Sequence, residues 1–224
     1  MSVRGAEAGR RRGRLALMAA AALAAAAAAG PSAWARAVRS MAEIRSEQVV
    51  RQHWDLSCGA AAIATLLTYQ LGHPAGEREV ALAMLRRTSP TVVRMRLGFS
   101  LLDLKIYAAS HGFGAAGFRG MTLEDLDARG PVIVPLRWHG FDHFVVFRGR
   151  RGDRILVADP SFGNRTLTEA AFRASWANAI GFVVFDPLRP DAPNRMGAPA
   201  ELFLSPGGQA ERAAISDIQV RNNP

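Results

Sequence analysis

The periodicity of the apolar residues changes at Pro131, and this change is the strongest constraint on the fold. Before it, runs of helix-forming residues end at glycine or proline, and capping-box patterns begin at Ser100 and Thr122. After it, short segments rich in Val, Ile and Phe alternate with turn residues. Helices are predicted at about 58–71, 77–87, 100–110, 122–130 and 168–178, strands at 132–138, 143–148, 155–158 and 180–185, and a basic loop at 88–98. Helices first and strands later predict an α+β domain with an antiparallel sheet.

The first 35 residues have the pattern of an export signal. Arginines precede an uninterrupted apolar run over 15–29, and Ala33-Trp34-Ala35 fits the small-x-small cleavage rule. We predict a signal peptide over 1–35, cleaved after Ala35, and a periplasmic or secreted protein. An uncleaved membrane anchor is the alternative, and general secretory and twin-arginine export both stay open. The rest divides into a lead-in at 36–47, one domain at 48–186 and a loose C-terminal tail at 187–224.

The charge and composition exclude some classes of partner. The apolar content of 49% is enough for one substantial core. With the leader removed, the formal net charge falls from +9 to +5, and no basic run interleaved with aromatic residues remains. Nucleic acid is therefore not predicted as a partner, whereas a modestly basic surface favours acidic ones.

Cys58 is the only cysteine in the chain, and it opens a predicted helix. The positive end of the helix dipole favours thiolate over thiol at such a position. Ser57 is expected to be the N-cap, with its side-chain oxygen accepting a free amide of the helix. The alternative is an inert, buried cysteine that serves packing alone. In an exported protein, however, an unpaired cysteine indicates an intermolecular bridge or a reactive thiol.

A histidine and a carboxylate that could serve this thiol lie in the predicted sheet. Antiparallel pairing about a turn at Arg151 would place His143 opposite Asp159, with both side chains on one face. Such a carboxylate orients the imidazole, whose other nitrogen takes the thiol proton. Gln52, six residues before Cys58, could donate its amide to an oxyanion. Taken singly, His143 could be an ordinary strand histidine and Asp159 a turn residue before proline, but together these positions predict a thiol hydrolase.

Metal binding is the competing chemistry. His139, Asp142 and His143 fall within five residues. The His-x-x-x-His spacing presents two ligands on one face only in a helix, and here it crosses a turn between strands. We therefore predict neither a metal site nor any cofactor.

These residues resemble a known family. Gln52, the segment Ser57-Cys58-Gly59-Ala60-Ala61, the segment from His143 to Val146, and Asp159-Pro160 are similar to the bacteriocin-processing (double-glycine leader) cysteine peptidases, family thirty-nine of the cysteine peptidases. Arg51-Gln52, the segment 98–103 and the segment 176–185 are closer still to an exported branch encoded with secretion systems of bacterial functional amyloid. The resemblance covers about 49–185.

The resemblance implies a papain-like fold and a cysteine endopeptidase. Cys58 would be the nucleophile, His143 the base and Asp159 its orienting group, with Gln52 in the oxyanion hole. Trp54 and Trp138 could line the substrate groove, although core packing is the other interpretation of each. The substrate would be a secreted peptide or an amyloid- or biofilm-type protein, cut at a Gly-Gly-type site, and a secretion apparatus is a candidate partner. The alternatives are an amidase or transferase with the same triad, and a non-catalytic peptide-binding adaptor of a secretion system.

Overall fold

The computed structural model describes residues 39–138 and 140–204. The helices are α1 (Met41–Ser46), α2 (Cys58–Thr65), which continues as a π-helical turn (Leu66–Gln70), α3 (Glu77–Leu85), α4 (Pro90–Arg96), α5 (Leu101–Ser110), α6 (Leu123–Arg129) and α7 (Glu169–Ser175). The strands are β1 (Gly114–Phe118), β2 (Val132–Trp138), β3 (Phe141–Arg151), β4 (Arg154–Asp159), β5 (Gly163–Thr168) and β6 (Gly181–Phe185), and 3-10 turns lie at Ala177–Ala179 and Ala200–Leu204. The predicted signal peptide and its cleavage point lie outside the described residues. Within the described ranges, none of the helices has the length and apolar character needed to cross a membrane.

One six-stranded sheet, in the order β1-β6-β2-β3-β4-β5, separates two hydrophobic cores, and all its neighbouring strands are antiparallel. Helices α2 to α5 supply the larger core, with Ile133, Val146 and Ala158 from the facing side of the sheet. Helices α6 and α7 cover the other side, where Phe172 packs near Phe147. Because alternate residues of a strand point to opposite faces, both cores draw on the same strands. The predicted α+β class is confirmed.

The two helices predicted from capping boxes, α5 and α6, are confirmed. Ser100 accepts a hydrogen bond from the Asp103 amide and Thr122 from the Asp125 amide, and both boxes are complete. By contrast, the predicted loop at 88–98 is wrong, because it contains α4. Its start carries a cap signal that the basic character of the segment obscured: Ser89 accepts from the Val92 amide and proline stands in the first turn.

Two strands lie in segments where the sequence predicted none. The sequence of β1 is Gly-Ala-Ala-Gly-Phe and that of β5 is Gly-Asn-Arg-Thr-Leu-Thr, so neither shows a run of β-branched apolar residues. They form the two edges of the sheet, where β1 pairs with β6 and β5 pairs with β4. Long-range pairing, rather than local propensity, makes them strands.

The hairpin register differs from the predicted one at the site. Val146 pairs with Ala158, and continuing that register places Asp159 opposite Val145 rather than opposite His143. The predicted direct pairing is therefore wrong by two residues. Because the displacement is even, His143 and Asp159 still lie on one face of the sheet, as diagonal neighbours.

A β-bulge at Arg148 keeps the side chains of His143 and Asp159 on the same face of the sheet. Nearer the turn, Arg150 pairs with Ile155, and an unbroken continuation would put His143 and Asp159 on opposite faces. The register shifts by one residue at Arg148, which has no counterpart on β4. The single extra residue brings the two side chains back to the same side.

The described part of the C-terminal tail packs against the domain, so the expectation of a loose appendage is wrong for 187–204. Met196 and Leu202 are fully buried. The side chain of Gln70 accepts from the Arg195 amide at 2.8 Å and donates to the Pro193 carbonyl at 3.1 Å. The remainder of the predicted tail, 205–224, lies outside the described residues.

The buried guanidinium of Arg148 joins both ends of the domain to the sheet. It donates to the carbonyls of Met196 at 2.9 Å and Gly197 at 3.1 Å in the tail, and to the carbonyl of Glu47 at 3.2 Å. It also donates to the side chains of Asn164 (2.8 Å) and Gln48 (2.6 Å). Burial, partly offset by the charge of Glu47, lowers the pKa of Arg148 to about 10.

We expect Arg148→Met to destabilise the fold. Methionine keeps the length of the side chain but leaves the buried carbonyls without a donor, at a cost of about 3 kcal/mol in the free energy of unfolding. Urea denaturation followed by circular dichroism measures the loss. The control is Arg154→Met on the same hairpin, because the Arg154 side chain is exposed and forms a long ion pair with Asp153, at 3.8 Å. Equal stability of the two variants would contradict the role of Arg148.

Candidate active site

The sulfur of Cys58 lies at the N-terminal end of a helix that is buried throughout. All eight residues of α2 are buried, and Cys58 is 7% exposed. The small residues after it allow the helix to approach its neighbours closely: a β-carbon on Gly59 would lie 3.2 Å from a methyl group of Leu104 and 3.3 Å from the ring of Phe144. The helix is therefore fixed against both α5 and β3, and the sulfur is fixed with it.

His143 meets both Asp159 and Cys58. Its Nε2 lies 2.8 Å from Oδ1 of Asp159, and both side chains are buried, at 7% and 0% exposure. The ring also forms a side-chain hydrogen bond with the Cys58 thiol. Since Asp159 occupies Nε2, the nitrogen that serves the sulfur is Nδ1. The structure thus brings together three of the residues that the sequence singled out.

Burial opposes charge on the His143 ring, yet its pKa is raised from 6.5 to about 10. The hydrogen bond and the negative charge of Asp159 outweigh burial, and the contact with Cys58 adds to them. The site therefore favours an imidazolium ring at neutral pH. An imidazolium beside a sulfur is the partner that a thiolate requires.

Asp159 is held by four donors. Its Oδ1 accepts from His143 and from the amides of Ser161 (2.8 Å) and Phe162 (3.3 Å), and its Oδ2 accepts from Nε of Arg165 at 2.8 Å. A second guanidinium nitrogen of Arg165 also lies 2.8 Å from Oδ2. Burial would raise the pKa of Asp159, but these donors and the two neighbouring positive charges lower it. Sequence reasoning missed Arg165, because β5 itself was not recognised.

Gln52 lines the same cleft as Cys58 and His143. Its main-chain amide donates to the Pro160 carbonyl at 2.9 Å, and its side-chain Nε2 donates to the Trp54 carbonyl at 3.3 Å. The neighbouring Arg51 also donates to Pro160, at 3.2 Å, and to the Ser161 carbonyl. The segment before the cysteine is thereby fastened to the turn after Asp159.

Ser57 does not cap the helix as expected. Its side chain makes no capping hydrogen bond, and instead its hydroxyl lies 2.6 Å from the Trp54 carbonyl and 2.5 Å from Oε1 of Glu77, to which it donates. The buried carboxylate of Glu77 is a stronger acceptor for that hydroxyl than the hydroxyl is for an amide of the helix. Sequence reasoning missed Glu77, since nothing in its local pattern separates it from an ordinary first-turn glutamate.

The two tryptophans give different results. Trp54 is 41% exposed, which excludes the core-packing interpretation, and it is not among the described residues that line the cleft at Cys58. Trp138 ends β2, and its side chain lies outside the described part of the chain, as does His139.

Two of the residues considered for a metal have other partners. The carboxylate of Asp142 accepts hydrogen bonds from Arg137 at 2.9 and 3.2 Å, and the ring of His143 is hydrogen-bonded to Asp159.

Two clefts meet at Cys58. The larger, of about 650 Å³, extends toward Gln52 and Phe162, and the smaller, of about 320 Å³, extends toward Arg96. Leu97 and Phe141 border both clefts, and their side chains are 53% and 41% exposed. Asp142 also borders both clefts. The arrangement leaves open space on either side of the sulfur, where an extended chain could lie.

Several known proteins are similar to this chain. The Peptidase C39 family model matches residues 46–185. A Pseudomonas aeruginosa protein named "Probable functional amyloid protease FapD" is 38% identical over 147 residues, which cover 66% of this chain and 64% of that protein, so the chain spans less than two thirds of this relative. "Lactococcin-G-processing and transport ATP-binding protein LagD" of Lactococcus lactis is 27% identical over 139 residues, covering 61% of this chain and 18% of that protein.

A solved structure has the same fold. The peptidase domain of Streptococcus ComA, described as a bi-functional ABC transporter involved in a quorum sensing pathway, superposes with a TM-score of 0.52 at 20% identity, over 61% of this chain and 96% of that domain. The family match covers more than half of the chain, and the helices and antiparallel sheet correspond to those of this peptidase domain. This chain therefore belongs to the Peptidase C39 family of cysteine peptidases and has its papain-like fold.

Proposed function

We propose that this protein is an exported cysteine endopeptidase in which Cys58 is the nucleophile, His143 the general base and acid, and Asp159 the group that orients His143. The observation that carries the proposal is the continuous set of contacts from the buried Asp159 carboxylate, through Nε2 of His143 at 2.8 Å, to the thiol of Cys58. The export signal predicted over 1–35 supports action outside the cytoplasm.

The reactive state would be a thiolate–imidazolium pair, in which the thiol proton has passed to Nδ1 of His143. The thiolate then attacks the scissile carbonyl, a C–S bond forms, and the carbonyl oxygen becomes an oxyanion held by the Gln52 amide and the Cys58 main-chain amide. His143 returns its proton to the leaving nitrogen as the C–N bond breaks. A water molecule, deprotonated by His143, then attacks the acyl carbon, the C–S bond breaks, the peptide leaves as its carboxylic acid, and His143 returns the proton to the sulfur.

The shape of the site supports an extended peptide with small residues at the cleavage point. The bulky side chains of Leu97 and Phe141 border both clefts beside the sulfur. A glycine has no side chain to meet these two residues, so a Gly-Gly-type site is compatible with them. The similarity to FapD, whose name describes a functional amyloid protease, supports an amyloid- or biofilm-type protein as the substrate. The similarity to LagD, whose name joins processing with transport, supports a secretion apparatus as the partner.

We expect Cys58 to react with iodoacetamide at neutral pH about tenfold faster in the folded protein than in denaturant, because the imidazolium stabilises the thiolate. His143→Ala should remove that advantage, whereas His111→Ala should not, since His111 contacts Tyr107 and lies outside the site. Mass spectrometry of the labelled protein measures both rates. Labelling no faster than in denaturant would contradict the catalytic proposal and favour a non-catalytic adaptor.

We expect one secreted protein of the source organism to keep its full length when the chain carries Cys58→Ala. Removal of the nucleophile leaves the fold intact but blocks acyl-enzyme formation, so the untrimmed precursor should accumulate. N-terminal sequencing of the secreted proteins by mass spectrometry, with a wild-type copy restored as control, identifies the substrate and its cleavage site. Identical N-termini in both strains would contradict the proposal.

The raised pKa of His143 predicts how stability depends on pH. The folded state binds this proton more tightly than the unfolded chain, so the stabilisation is complete below pH 6.5 and is lost as the pH rises through about 10. We expect the difference in melting temperature between wild type and His143→Gln to shrink steadily over that range. Thermal unfolding at pH 6, 8 and 10 measures it, and a constant difference would contradict the His143–Asp159 coupling.

A further inference from the structure

We infer that Glu77 is the positioning residue of the oxyanion hole, an inference that rests on the peptidase function proposed above. Glu77 begins α3 and is 6% exposed. No substrate could touch its carboxylate directly, because the loop before Cys58 wraps around it. Its effect would pass through that loop to the two amides that face the substrate.

The loop surrounds the carboxylate with donors. The His53 amide lies 2.9 Å from both oxygens, and the Trp54 amide donates to Oε1 at 3.1 Å. The Ser57 hydroxyl donates to Oε1 at 2.5 Å, and Nδ1 of His53 lies 3.0 Å from Oε2. Burial would raise the pKa of Glu77, but these hydrogen bonds lower it, so the group stays a carboxylate at neutral pH.

Both proposed oxyanion donors depend on residues that Glu77 holds. Trp54, whose amide is bound to Glu77, presents the carbonyl that receives Nε2 of Gln52 at 3.3 Å. Ser57, whose hydroxyl is bound to Glu77, directly precedes the Cys58 amide. One carboxylate therefore sets the direction of the side-chain donor and of the main-chain donor.

The loop would not keep this shape without an internal anchor. Leu56 has a φ of 66°, a left-handed conformation that its β-carbon disfavours. Such a conformation persists when surrounding contacts determine it. The hydrogen bonds to Glu77 on both sides of Leu56 supply that determination.

Glu77→Gln tests the inference, because it preserves volume and removes the charge. One carboxylate oxygen becomes an amide nitrogen, which is a donor and therefore cannot accept the hydrogen bond from the His53 amide. The probes are a peptide that carries the cleavage sequence of the trimmed secreted protein, the matching peptide aldehyde, and iodoacetamide. The aldehyde carbon bonds to the sulfur and its oxygen enters the oxyanion hole, whereas alkylation by iodoacetamide releases iodide and forms no oxyanion.

We expect Glu77→Gln to lower kcat about tenfold with little change in KM, compared with about a hundredfold for Gln52→Ala, which removes a donor outright. The aldehyde should bind about tenfold more weakly, while the rate of alkylation of Cys58 stays within twofold of wild type. In the double variant, the loss in kcat should be smaller than the product of the two single losses. Glu79→Gln, on the same helix but exposed, is the control and should match wild type.

Three results would overturn the inference. One is an unchanged kcat in Glu77→Gln, and another is an alkylation rate that falls as far as kcat, which would assign Glu77 to general stability or to the thiolate. If Glu77→Gln does not fold, Ser57→Ala removes one donor from the same carboxylate, and an unchanged kcat in that variant is the third. A wild-type protein that cleaves no peptide and whose Cys58 labels slowly would contradict the proposed function itself. An active wild type whose kcat does not change in Glu77→Gln would contradict only the role of Glu77.

Discussion

A carboxylate with no exposure to solvent is the constraint on which the site depends. Burying an unpaired charge is so unfavourable that Asp159 requires donors on every side, and the chain provides them from three places: β3, the turn that follows β4, and β5. Each donor is fixed in return. Asp159 sets the direction of the His143 ring, and the guanidinium of Arg165 balances the negative charge. The orientation of the imidazole is therefore a consequence of charge burial as much as of strand geometry.

On the helical side, the buried carboxylate of Glu77 has a comparable role. Asp159 holds the base, and Glu77 holds the loop that delivers the nucleophile, so each half of the domain organises its contribution around one negative charge. Arg51 and Gln52 connect the two, because they lie at the start of the loop around Glu77 and donate to the carbonyls that follow Asp159. The alignment of sulfur, imidazole and amide is thus supported from both sides of the cleft.

The sequence predicted those features that local patterns encode. Capping boxes predicted α5 and α6, and the alternation of apolar and turn residues after Pro131 predicted the central strands. The position of Cys58 at the start of a helix indicated thiol chemistry. The polar or glycine-rich edge strands and the buried Arg165 and Glu77 were missed, because their roles come from contacts distant in sequence. His143 and Asp159 were paired on the right face by a register that was itself wrong, since the displaced turn and the bulge at Arg148 compensate one another.

The reach of Arg148 has a consequence for the limits of the domain. The family similarity ends at residue 185, yet this side chain binds carbonyls at 196 and 197, and Met196 fills a place in the same core as the nucleophile's helix. The segment that resembles other peptidases is accordingly smaller than the cooperative unit of folding. An expression fragment cut at the edge of the homology would lose part of its own interior, and one that extends through Leu202 would keep it.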